Sequence, residues 1–205
     1  GHELTHVVQQ GGHTNQLQRR VIPANVTCNN YGLRNPNLTG PEVVAAIENA
    51  VSEAIKLAAR ADNLLFLHRV LTQAGDPVDA NFDRILQEEL DLTLTNPAHF
   101  RWIEQAESKF ERVRKTLESG YLRFVCRGGS CGANTYAFSH PASRLIRLCQ
   151  RFWDEPHERP QTILHEVFHI WFDMPHTNRL KRANTFCLES FALRLAGQNA
   201  PDSCA

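Results

Sequence analysis

Apolar residues recur at helical spacing through most of the first 120 positions, and at strand spacing only over a short stretch beyond them. After Thr39-Gly40-Pro41-Glu42, where proline suits a first helical turn, Val44, Ile47, Val51 and Ile55 keep one face apolar. This predicts a helix, or a broken pair, as far as about Gly75. Asp76-Pro77 marks a turn, and Asn81 is the expected N-cap of a helix whose stripe is Phe82, Ile85, Leu86 and Leu90. Asn96-Pro97 opens a charged helix that should end by Gly120. Strand-like segments follow over 121–126, 135–138 and 145–149, with a glycine turn at Gly128-Gly129. Helical spacing returns at Pro160 and stops before Pro175, since proline disfavours helical geometry in the preceding residue. It resumes over 180–196, up to Gly197. The pattern predicts an α+β fold with a helical N-terminal lobe, a small β-sheet and two C-terminal helices. The expected divisions are 1–20, 21–120 and 121–205, with 21–205 forming one domain.

The helix after Pro160 contains His165-Glu166-Val167-Phe168-His169, an H-E-x-x-H motif. Residues four apart lie one above the other on a helix, so both imidazoles can reach a single Zn²⁺ while Glu166 faces a water held there. Ile163, Leu164, Val167, Phe168, Ile170 and Trp171 cover most of the remaining circumference, which predicts burial. A buried His-Glu-His set needs a partner to offset its desolvation, and one zinc ion per chain is the economical choice; two stacked histidines with no metal are the alternative. With zinc, Glu166 is the expected general base of a hydrolase.

Catalytic zinc takes three protein ligands and leaves a place for water. Glu189, on the last helix, is the first choice for the third. Asp173, one turn after His169, and His176, past the Pro175 break, are its rivals. Asp173 has the further option of steadying a histidine ring, and His176 or Tyr136 that of stabilising an oxyanion. The strand over 145–149 is a candidate for binding a substrate backbone by edge addition.

Charge narrows the partners. Lys+Arg and Asp+Glu each number 22, so the chain is formally neutral and shows no footprint for nucleic acid or an anionic membrane. No apolar run approaches the roughly 18 residues that would span a bilayer. Six cysteines without a C-x-x-C pair suggest disulfides in a secreted protein rather than zinc knuckles, reduced thiols being the alternative. Their pairing is open, and a short loop closed by Cys126 and Cys131 is one option. The chain opens on a second H-E-x-x-H, at His2-Glu3-Leu4-Thr5-His6, with nothing before it to complete a fold. Residues 1–20 therefore read as the tail of an upstream domain, with a helical stub over 3–10 and His13 as a further donor.

Four segments together resemble the deuterolysin and lysine-specific metallo-endopeptidase family, the aspzincins, over about 121–192. They are Thr135-Tyr136-Ala137-Phe138, the run from Ile146 to Phe152, the run from Thr162 to His169, and Asn184 with Glu189, Phe191 and Ala192. The resemblance implies a zincin fold, a zinc cofactor and endopeptidase action on protein or peptide substrates. That family draws its aspartate ligand from a Gly-Thr-x-Asp segment followed by a tyrosine. Neither is present here, Tyr136 being the last tyrosine, which leaves Glu189 as the expected carboxylate. Residues 2–10 are similar to the end of a different metallopeptidase-type domain, one found in cargo of bacterial contractile injection systems. That similarity implies an effector or toxin secreted or delivered outside a bacterium, with an injection-system particle as partner. Two other readings are a non-catalytic zinc-containing binding module, against which the intact Glu166 argues, and a self-processing precursor cut near Arg19-Arg20.

Overall fold

The computed structural model describes residues 26–28, 40–126, 131–172, 180–200 and 204. Asp173, His176, Arg19-Arg20 and the group His2, Glu3, His6 and His13 lie outside the described residues. Strand β1 (Val26–Thr27) precedes helix α1 (Gly40–Gln73), which is one unbroken element because no glycine or proline interrupts it after its first two residues. Along α1 the side chains of Ala54, Ala58 and Ala61 are fully buried. Small residues there let other helices approach closely.

Helix α2 (Ala80–Leu90) is capped by Asp79 rather than Asn81: the Asp79 carboxylate accepts the N–H groups of Asn81 and Phe82, each at 2.9 Å. Asn96 caps a single 3₁₀ turn, Pro97–His99, that runs directly into helix α3 (Phe100–Glu118). Strands β2 (Arg123–Cys126), β3 (Ala137–His140) and β4 (Leu145–Leu148) complete a sheet in the order β1-β2-β4-β3. The first three of these are parallel, and β3 runs antiparallel to β4 with Phe138 opposite Arg147. The segment expected to offer a free edge, 145–149, is thus an interior strand with both sides paired. Among the described residues β3 and β1 are the two outer strands, and β3 lies against the helix that carries the H-E-x-x-H motif.

After the short helix α4 (Gln150–Asp154), helix α5 (Arg159–Phe172) carries the H-E-x-x-H motif. Helix α6 (Thr185–Leu195) starts later than the apolar pattern suggests, because Asn184 caps it; the 3₁₀ turn Lys181–Ala183 occupies the preceding residues. Its end is closed by Gly197 at φ +72°, a left-handed conformation that glycine adopts without penalty. Phe110 of α3 meets Phe168 of α5 edge-on at 5.3 Å and Phe191 of α6 at 6.0 Å. The buried apolar cluster around them runs from Val43 to Leu195, so the helical lobe and the sheet-bearing part share one core.

All six cysteines are paired, as Cys28–Cys126, Cys131–Cys149 and Cys187–Cys204. The short Cys126–Cys131 loop does not form. Cys126 ends β2 beside β1, and its partner is the residue just after that neighbouring strand.

Candidate metal centre

Helix α5 is anchored at its start by Arg159, whose guanidinium donates to the carbonyls of Phe152 and Trp153 at 2.9 and 3.0 Å. The hydroxyl of Thr162 donates to the Glu158 carbonyl, 2.8 Å away. Ile163, Leu164, Val167 and Phe168 are completely buried, which fixes the rotation of the helix about its axis. That rotation brings His165 and His169 together on the remaining stripe, with their Nε2 atoms 3.0 Å apart. Two ligand nitrogens of a tetrahedral zinc, each about 2.0–2.1 Å from the metal, lie about 3.3 Å from one another. The observed spacing is therefore that of two donors converging on one position.

The surroundings are dry on one side and open on the other. His165 is 8% exposed, Glu166 6% and Glu189 5%, whereas His169 is half-buried. Glu189 reaches the site from α6 and places Oε2 at 2.7 Å from Nδ1 of His165, the ring nitrogen on the side away from His169. The Phe186 ring packs on the His165 ring at 4.7 Å, and the Asn184 side chain accepts the Phe186 N–H at 3.0 Å, fixing the first turn of α6.

Glu166 faces β3. Burial pushes its carboxyl above the usual glutamate range; electrostatic attraction to the His165 ring and hydrogen bonds from the hydroxyl and backbone N–H of Ser139 oppose this, and the Glu189 carboxylate adds to it. Ser139 escaped the sequence reading. The signal for it is the alternation within β3: Ala137 is buried against the core, and the residue two further on must share its face.

Tyr136, expected as an oxyanion donor, has its hydroxyl engaged elsewhere. It donates to Glu155 Oε2 at 2.5 Å, and Arg151 donates to the other oxygen of that carboxylate at 2.8 Å. Burial, together with the bond to Glu155, holds the phenol at about 12. A second group of possible metal donors, Glu155, His157 and Glu158, lies within a 4.8 Å span just ahead of α5. Its carboxylates are already engaged, Glu155 as above and Glu158 by Gln161 and His157, and this reads as a surface network bracing the helix start.

A histidine pair one helical turn apart, a glutamate beside it, and an outer antiparallel strand packed over the helix define the arrangement used by metal-dependent peptidases. The comparison with known families agrees: residues 101–200 match the family described as lysine-specific metallo-endopeptidase, the aspzincins, and this stretch is an aspzincin-like domain. The family is one of zinc-dependent endopeptidases, and the match spans His165, Glu166, His169 and Glu189. No curated protein matches the chain.

Proposed function

We propose that this chain is a zinc-dependent endopeptidase in which His165 and His169 hold one zinc ion through Nε2 and Glu166 is the general base. The observation that carries the proposal is the convergence of the two Nε2 atoms, 3.0 Å apart, next to a buried glutamate. The third protein ligand comes from the set Glu189, Asp173 and His176. Zinc bound here would lower the pKa of a water toward neutrality and polarise the scissile carbonyl. Glu166 takes the proton of the attacking water on its carboxylate and delivers it to the departing amine nitrogen. Ser139 holds that carboxylate against β3 while it does so. The outer edge of β3 is the strand to which an extended peptide would add, since β4 is paired on both sides.

Three disulfides fit a protein that works in an oxidising compartment, which supports secretion or delivery outside the cell. The role of a bacterial effector or toxin carried by an injection-system particle rests on the similarity of residues 2–10 alone.

The test is Glu166→Gln, in which the amide keeps the shape of the side chain but cannot take a proton. Zinc content by elemental analysis should stay at one per chain, and hydrolysis of an unfolded protein substrate should fall by at least ~10²-fold. Undiminished hydrolysis would remove Glu166 from the mechanism, and wild-type protein free of zinc after purification in zinc-containing buffer would remove the metal.

A further inference from the structure

We infer that Glu189 is a positioning residue: its carboxylate holds the Nδ1–H of His165 from behind and commits the Nε2 lone pair to the metal, without itself ligating. The inference rests on the reading of His165 and His169 as zinc ligands, and it is carried by the geometry of the imidazole. The two ring nitrogens point away from each other, so an oxygen 2.7 Å from Nδ1 lies on the far side of the ring from Nε2. With a zinc–nitrogen bond of about 2.0–2.1 Å, that oxygen is roughly 6 Å from the metal, three times a bonding distance. The same ring cannot present Nε2 to the ion and keep this contact while Glu189 enters the first shell.

The chemistry of the buried pair points the same way. A carboxylate 5% exposed needs a donor, and Nδ1–H of a neutral imidazole supplies one. Donation from Nδ1 leaves the lone pair on Nε2, which is the tautomer a metal requires, and the nearby negative charge makes that nitrogen a stronger donor. The contact is held from three sides: the Asn184 cap sets the start of α6, the Phe186 ring packs on His165, and Leu188, Phe191 and Ala192 bury the rest of the helix around Glu189. His169 has the more open position. Glu189 therefore serves a histidine that is buried and must be oriented without help from solvent.

The experiment compares Glu189→Gln, Glu189→Ala and His165→Ala in the whole chain. Zinc affinity is measured by chelator competition, the coordination number from the visible spectrum of the Co²⁺-substituted protein, and the Nδ1–H of His165 by ¹⁵N-resolved NMR. Both Glu189 variants should still bind one zinc, about 10- to 100-fold more weakly. Glu189→Gln should recover part of the loss seen in Glu189→Ala, because its amide oxygen can accept the same hydrogen bond. The Co²⁺ spectrum of Glu189→Gln should match wild type, and the downfield Nδ1–H signal of His165 should persist in Glu189→Gln and vanish in Glu189→Ala. His165→Ala should not bind the ion.

If Glu189→Gln loses zinc as completely as His165→Ala, or its Co²⁺ spectrum reports a lost ligand, Glu189 is a ligand and the inference is overturned. Unchanged affinity and an unchanged Nδ1–H signal in Glu189→Ala would overturn it in the other direction. Wild-type protein that binds no zinc would overturn the endopeptidase reading as well, whereas either of the preceding results leaves that reading standing.

Discussion

A single carboxylate decides where α2 begins. Both Asp79 and Asn81 are residues that cap helices, but only a side chain two or three positions ahead of Asn81 and Phe82 can accept their N–H groups, and that is Asp79. The bond from Phe82 N–H, with that from Asn81 N–H, holds the Asp79 carboxyl below its ordinary range. A depressed folded-state value means that the stabilisation is fully present above the unfolded pKa of about 3.9 and is lost as pH falls through the lower folded value. Asp79→Ala should therefore cost about 1 kcal/mol at neutral pH, the usual worth of such a cap. Denaturant melts of the two proteins should differ by that amount at pH 7 and converge as the pH drops below about 4; a gap independent of pH would mean that the charged cap is not the source. The same reasoning about who can reach whom separates Glu166 from Glu189 in the centre. Glu166 shares a helix with the histidines and faces β3, while Glu189 comes from α6 and meets only the back of one ring.

Helices were legible in this sequence because their apolar faces repeat within a few residues, and α1, α3 and α5 all lie where that repeat places them. The sheet was legible only as segments. Ile146 and Leu148 alternate with half-buried neighbours, which identifies a strand, but nothing local says that β2, some twenty residues earlier, lies on one side of it and β3 on the other. A free edge was consequently expected on a strand that is paired on both sides, and the disulfide pairing, which depends on the same crossings, was open. The H-E-x-x-H motif was legible because its geometry is contained in one helix. Ser139, from a separate strand, was not. The packing that carries this geometry is concentrated at Phe110, which touches α5 through Phe168 and α6 through Phe191. Phe110→Ala should destabilise the protein by about 3–5 kcal/mol, the range for a fully buried phenylalanine. It should also weaken zinc binding, since α5 and α6 bring His165 and Glu189 together. Calorimetry and chelator competition on the same sample check both. A loss under 1 kcal/mol would show that the three helices are held by other contacts.

At the scale of the whole molecule, the three disulfides leave α5 free of any covalent tie. Cys28–Cys126 fastens the outermost strand to the sheet across 98 residues of sequence, and Cys187–Cys204 fastens α6 to the chain end across 17. Cross-links act largely on the unfolded chain, and the stabilisation grows with the loop they close: about 4.7 kcal/mol for a loop near 100 residues and about 3 kcal/mol for one near 15. The double substitution Cys28→Ser with Cys126→Ser should accordingly lower stability more than Cys187→Ser with Cys204→Ser. The order should be reversed for the metal centre, because Cys187 sits two residues from Glu189 on the helix that supports His165, whereas β1 lies at the opposite edge of the sheet from β3. Denaturant melts and zinc affinities of the two variants separate these effects. The first pair should show the larger fall in unfolding free energy with near-normal zinc binding, and the second a smaller fall with weakened binding. Equal stabilities, or a zinc defect confined to the Cys28 and Cys126 variant, would show that the disulfides do not divide the work between holding the fold and holding the centre in this way.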